Sequence, residues 1–250
     1  MPDNSHPQPA GPPTGPQVDS PQQPNRIWRS LRWLLRNVFV FWLSYRARGL
    51  SHLPPQGAAL LLINHQSYLD PLLVGLPLQR PVSFLARHDL FTVPVIGWIL
   101  RNTYVLPINR DAAGADSLRE LVRRLAQGFY VGIFPEGTRT RDGRLAALRP
   151  GFISVIRRSH VPVIPVGIAG GSAALPRGAI WLRPRLVRVV VGEPLPSDEL
   201  RLLSERGREA ELVERVRMAM EAVAQEAERW RLEAVGASSE EAAAFPRDPS

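Results

Sequence analysis

Six stretches of the chain are apolar almost without interruption, and the polar residues gather between them. Ala58–Ile63, Val82–Ala86, Thr103–Ile108, Tyr130–Phe134, Val163–Ile168 and Leu186–Val191 each have the length of a strand. Most lack the alternation of a half-exposed strand, so they predict a sheet covered on both faces. Between them, Pro71–Leu76, Leu90–Arg101, Ala115–Gln127 and Phe152–Ser159 read as helices. This alternation predicts an α/β fold with a central, mostly parallel or mixed sheet flanked by helices. From residue 199 to 234 a charged helical pattern carries Leu203, Leu212, Val216, Met220 and Val223, a stripe suited to packing on that sheet.

The ends differ from this middle. Residues 1–24 are rich in Pro, Gln, Ser and Gly and predict a disordered tail without a signal peptide's apolar stretch. Residues 236–250 predict a second one. Residues 25–48 predict an amphipathic helix: Arg29, Arg32 and Arg36 share one face, and Ile27, Leu31, Leu34, Leu35, Val38 and Trp42 the other. Its arginines interrupt any apolar run of the ~20 residues needed to cross a bilayer. An arginine-faced, Trp-bearing helix suits the plane of an anionic membrane surface; a core-packing helix with a solvated basic face has the same pattern. Residues 49–235 are then left as the folded domain, a length sufficient for a single core.

Charge narrows the partners. The net charge is +8, and every one of the 31 basic residues is arginine. Coding bias accounts for the missing lysine as well as an anionic partner does, and an anionic partner is a lipid head group, a phosphate ester or a nucleic acid. The last lacks any groove-reading or base-stacking motif. The chain has no cysteine, which removes disulfides, thiolate metal sites and Cys nucleophiles.

Two short stretches carry candidate chemistry. In Leu61–Pro71, His65 stands at the mouth of a predicted strand with Asp70 five residues on. An imidazole takes a proton near neutral pH, and a carboxylate on its far nitrogen would fix the tautomer. On one regular helix the two side chains would diverge by about 140°, so a strand end, a turn and a helix beginning near Asp70–Pro71 are needed to join them. The plainer reading is that Asp70 caps that helix and His65 lines the turn. In residues 132–143, Glu136, Gly137, Thr138 and Arg139 follow another strand. Gly137 permits close backbone approach to a ligand, Arg139 matches phosphate oxygens, and Glu136 could accept from a hydroxyl or brace an arginine; an ordinary polar turn has the same composition. Arg110, at the end of a third strand, is a second candidate phosphate ligand.

Taken in order, Asn64-His65-Gln66-Ser67-Tyr68-Leu69-Asp70, the Gly97–Arg110 block, Phe134-Pro135-Glu136-Gly137-Thr138-Arg139-Thr140 and Val161–Val166 resemble the glycerophospholipid acyltransferase family, closest to bacterial 1-acyl-glycerol-3-phosphate acyltransferases. The resemblance spans roughly residues 45–195. It implies transfer of a fatty acyl group from acyl-CoA or acyl carrier protein, as co-substrate, to the hydroxyl of a membrane lysophospholipid, making phosphatidic acid with no metal or other cofactor. It implies His65 as general base, Asp70 as its orienting partner, and Arg110, Glu136, Gly137, Thr138 and Arg139 around the acceptor, with the Pro162–Pro165 segment shaping the site. It implies a peripheral or monotopic protein on the cytoplasmic face of the inner membrane. Two departures touch the acceptor: Arg87 stands where the family often has lysine, and Pro150 lies nearest the place of a second one. The same chemistry on another acceptor, such as a lyso-ornithine lipid, and a non-catalytic polybasic membrane-binding protein are the alternative readings.

Overall fold

The central apolar runs, Ala59–Ile63 and Val163–Ala169, are apolar because helices cover them from both sides. The computed structural model describes residues 24–108, 115–140 and 143–236. Its strands are β1 (Arg46–Arg48), β2 (Ala59–Ile63), β3 (Val82–Ser83), β4 (Leu85–Arg87), β5 (Leu106–Ile108), β6 (Tyr130–Ile133), β7 (Val163–Ala169) and β8 (Arg188–Val191). Its helices are α1 (Arg26–Trp42), α2 (Asp70–Gly75), α3 (Pro94–Asn102), α4 (Ala115–Ala126), α5 (Gly151–Ser159), α6 (Gly171–Ala174), α7 (Ser197–Leu203) and α8 (Glu209–Val235). Every residue of β2 and β7 is buried, which is why neither strand alternates in sequence.

Six strands form one sheet in the order β1-β8-β7-β2-β6-β3. β2 lies between two parallel neighbours, Ala59 opposite Tyr130 and Leu60 opposite Val163. β8 runs antiparallel to β7, and β1 parallel to β8, so the sheet is mixed. On one face, Phe39 and Leu43 of the α1 segment and Leu73 and Val74 of α2 pack against Leu61, Ile63, Ile164 and Val166. On the other, α4, α5, α7 and α8 bring Leu121, Phe152, Leu200 and Met220 onto Leu60, Leu62, Val131 and Val163. Gly167 lets α8 come close: a Cβ there would sit 2.2 Å from the Val223 carbonyl oxygen.

The structure corrects several expected boundaries. The N-terminal helix stops at Trp42, and Arg46–Arg48 form an edge strand instead of its last turn. Val82–Ala86 breaks at Phe84; its second half, β4, leaves the main sheet to pair with β5. The expected strand from Thr103 begins at Leu106, and the one from Leu186 begins at Arg188. The pattern at 199–234 is two helices, α7 and α8, because Gly207 in the left-handed region (φ 90°) breaks it. The Pro-rich stretch 1–23, residues 237–250 and Arg110 lie outside the described residues.

Helix α1 is tied to the domain. Asn25 caps it by accepting from the Trp28 N–H at 2.8 Å, worth about 1 kcal/mol. Arg32, expected on a solvated face, instead donates to the carbonyls of Leu76 (3.0 Å) and Pro77 (3.4 Å) beyond α2. Trp28 and Phe39 are buried, whereas Ile27, Leu34, Val38, Phe41 and Trp42 remain exposed. Among the described residues no helix is long and apolar enough to cross a membrane.

Candidate active site

The site is assembled at the carboxyl ends of β2 and β6, where open parallel sheets gather ligands. Asn64, the residue after β2, is buried, and its amide grips β7 twice: Nδ2 donates to the Ile168 carbonyl (2.9 Å) and Oδ1 accepts from the Ile168 N–H (2.7 Å). That two-point clamp fixes where β2 ends, and therefore where the next residue, His65, emerges. The His65 ring stacks on Phe134 with centroids 4.1 Å apart. Its side chain is 19 % exposed, open enough for a ligand to reach.

Asp70 closes the turn from the other side. Its Oδ2 lies 2.8 Å from His65 Nδ1 and also accepts from the N–H groups of Gln66 (2.6 Å) and Ser67 (2.7 Å). The carboxylate therefore reaches back over the preceding turn and does not cap its own helix, whose N-cap is Leu69. Asp70 is fully buried, and Oδ1 has no hydrogen-bond partner. Burial pushes its carboxyl above the usual carboxylate range, against the downward pull of His65 and the two backbone donors. With the carboxylate accepting from Nδ1–H, the His65 lone pair is left on Nε2, free to take a proton.

Glu136 is the surprise of the second motif. It is 2 % exposed; Oε1 accepts from the His65 N–H (2.7 Å) and Oε2 from the Ala146 N–H (2.8 Å). Both oxygens are committed to the backbone, so this carboxyl pins His65 to the 143–149 loop. Burial holds it, too, above the usual range. The Thr140 N–H donates to the His65 carbonyl at 2.8 Å, so the two motifs are joined on both sides of the imidazole. Gly137 adopts φ +65°, a left-handed conformation that favours glycine; a Cβ there would lie 2.8 Å from the flexible Arg149 side chain, which could move aside.

Beyond Glu136 the chain opens into a cleft of about 540 Å³ lined by Thr138, Arg139, Thr140, Arg144, Leu145, Ala146 and Arg177. The Arg139 guanidinium lies 3.6 Å from the centre of the Tyr68 ring, which aims it from the side of the His65 turn. Three guanidinium groups on one concave surface make an anion-attracting wall. Arg87 instead pairs with Asp89 at 2.9 Å, and Pro150 serves as the N-cap of α5. Pro162 and Pro165 act within the sheet, their carbonyls accepting from Leu60 and Gly192. No group of three or more His, Cys, Asp or Glu side chains stands ready for a metal among the described residues.

Sequence reasoning missed Asn64, Tyr68, Arg144 and Arg177 as parts of this site. Asn64 and Tyr68 lay inside the His65 stretch and were legible in principle; Arg177 had no signal, because only the fold returns it to Arg139.

The family comparison fits this geometry. The acyltransferase family model matches residues 44–169, half of the chain and all of both motifs, and the chain belongs to the acyltransferase family. Among its relatives are a chloroplastic 1-acyl-sn-glycerol-3-phosphate acyltransferase of Brassica napus, 30% identical over 187 residues (73% of this chain, 52% of that one), and the Bacillus subtilis 1-acyl-sn-glycerol-3-phosphate acyltransferase, 26% identical over 166 residues (65% and 79%). The chain spans about half the length of the plant relatives it matches. The crystal structure of the 1-acyl-sn-glycerophosphate acyltransferase PlsC from Thermotoga maritima has the same fold, with a TM-score of 0.64, 24% identity and 78% of each chain covered.

Proposed function

We propose that this protein acylates the free hydroxyl of 1-acyl-glycerol-3-phosphate from an acyl thioester, on CoA or acyl carrier protein, yielding phosphatidic acid. The observation that carries the reading is the His65–Asp70 pair, 2.8 Å apart and reachable from outside, beside an arginine-lined cleft. In this reading His65 Nε2 takes the proton as the acceptor oxygen attacks the thioester carbonyl. The C–O bond forms, the C–S bond breaks when the tetrahedral intermediate collapses, and the imidazolium returns its proton to the departing thiolate. A base so placed contributes ~10²–10⁴-fold. Asp70 holds the tautomer and offsets the imidazolium charge. The thioester is already activated, so the enzyme needs no covalent intermediate of its own.

Arg139 and its neighbours hold the acceptor phosphate, where a forked donor set is the matching partner. Helix α1 lies on the membrane surface that contains the acceptor, its exposed Ile27, Leu34, Val38 and Phe41 toward the lipid. The enzyme works from the cytoplasmic face, where its thioester donors are found. The test is a panel of lysolipid acceptors with labelled acyl-CoA, with products identified by mass. Phosphatidic acid should dominate; faster acylation of an acceptor without a phosphate monoester would overturn the acceptor assignment, and no transfer to any lysolipid would overturn the activity.

A further inference from the structure

The segment that follows α6 has no role in the reading above beyond the side chain of Arg177. It runs Arg177-Gly178-Ala179-Ile180-Trp181-Leu182-Arg183-Pro184-Arg185. Ile180 is 84 % exposed and Trp181 79 % exposed, values a folded domain seldom gives two adjacent large apolar side chains. The segment is not loose at its base. Leu182 packs against the core, the Arg183 N–H returns to the Ala174 carbonyl at 2.8 Å, and the Ala179 N–H closes a turn on Pro176 at 3.0 Å. Ser67 Oγ donates to the Leu175 carbonyl at 3.2 Å, which ties the loop to the turn holding His65 and Asp70.

We propose that this loop is a second membrane contact, entering an anionic bilayer with Ile180 and Trp181 beside helix α1. Two observations select that occupant. The first is continuity: Trp42 Nε1 donates to the Leu182 carbonyl at 3.1 Å, next to Trp181, which joins the loop to the end of α1, where Phe41 is 84 % exposed and Trp42 also exposed. The second is charge. Arg177, Arg183 and Arg185 are exposed around the tip, and no Asp or Glu occurs between Asp142 and Glu193. An indole and an isoleucine ringed by arginines match the layer where acyl chains meet anionic head groups. Docking at both α1 and the loop fixes the protein's orientation on the surface, which one helix alone leaves free to roll. On the acyl-transfer reading, on which this consequence rests, it also sets Arg177 and the cleft at the depth of lipid phosphates, so that acceptor enters from the bilayer.

The chain has no cysteine, so a Trp181→Cys variant of the full chain carries a single site for an environment-sensitive fluorophore. On vesicles of phosphatidylcholine and phosphatidylglycerol its emission should rise and be quenched by brominated acyl chains. The same label at Met218→Cys, exposed on α8 across the sheet, should not respond. The double variant Ile180→Ser/Trp181→Ser should partition onto these vesicles at least about tenfold more weakly, with an unchanged unfolding midpoint because both side chains are exposed. A label at 181 that stays unquenched while the protein binds vesicles overturns the proposal. So does one that responds to rising protein concentration without lipid, or only to an acidic protein. A chain that docks through 181 but acylates no lysolipid sinks the acyl-transfer reading and leaves the docking intact; turnover with a silent label does the reverse.

Discussion

Replacing Glu136 with glutamine separates two roles that the sequence leaves open. The carboxyl accepts from the His65 N–H at 2.7 Å and from the Ala146 N–H at 2.8 Å. A glutamine has one acceptor oxygen. Whichever way its amide is turned, one of those backbone donors meets an NH₂ group and is left buried without a partner. A lost buried hydrogen bond with an orphaned donor costs about 2–3 kcal/mol, which urea unfolding of Glu136→Gln should report as a lowered midpoint at constant slope. On the proposed mechanism, releasing the main chain at His65 would shift the base. A displacement of about 1 Å can cost ~10²-fold, so kcat should fall by about 10- to 100-fold while KM for the acceptor stays within about twofold. Steady-state kinetics with lysophosphatidic acid and acyl-CoA measures both. If KM rises with kcat preserved, Glu136 touches the acceptor and the positioning argument is wrong; if neither stability nor kcat moves, the two hydrogen bonds carry no weight.

His65→Ala should abolish thioester-dependent acylation, lowering kcat by ~10²–10⁴-fold, while vesicle sedimentation stays at the level of the parent chain; retained turnover would remove His65 from the role of base. Arg139→Ala should raise KM for a phosphate-bearing acceptor about tenfold or more with little change in thermal midpoint, since its guanidinium rests on the ring of exposed Tyr68; a loss confined to stability would mark it as structural. Gly167→Ala should destabilise by about 3 kcal/mol, because the new methyl collides with the Val223 carbonyl; an unchanged denaturation curve would mean that α8 does not press on β7 as described. Burial holds the Asp70 carboxyl above the usual range, so the folded chain keeps a proton there at pH values where the unfolded chain has lost it. That contribution is complete below the ordinary carboxylate pKa and is lost as pH rises through the folded value. The stability of Asp70→Asn relative to the parent should therefore improve as pH rises above the ordinary carboxylate pKa of about 4, read from urea midpoints; a trend in the opposite direction refutes the burial argument.

The interior strands were legible because burial on both faces leaves an unbroken apolar run: β2, β6 and β7 fall within a residue of expectation. The edges were not. β1 is Arg-Ala-Arg with both arginines exposed, a pattern that carries no apolar signal, and it pairs because Ser44, at φ 42°, turns the chain out of α1 toward β8. Phe84 sits where β3 ends and the chain changes sheets, a place that residue spacing cannot mark. The proximity of His65 and Asp70 could be argued from a turn followed by Pro71, and the structure joins them in that way. Glu136 could not be read, because a glutamate after a strand looks like a ligand until the two backbone donors waiting for it are known. Arg177 became part of the cleft through the connection after α6 that joins β7 to its antiparallel neighbour β8, information held by tertiary structure alone.

The pairing of β1 with β8 also bears on how the chain is made. The Ser44 carbonyl accepts from Arg188 at 2.6 Å, a partner 144 residues downstream. At ~5–20 residues per second, the ribosome delivers that partner many seconds after α1 has left the exit tunnel. During this interval the helix carries Phe41 and Trp42 with no sheet edge to hold it. On the proposed membrane reading, synthesis in this order would let α1 reach the bilayer before its domain closes.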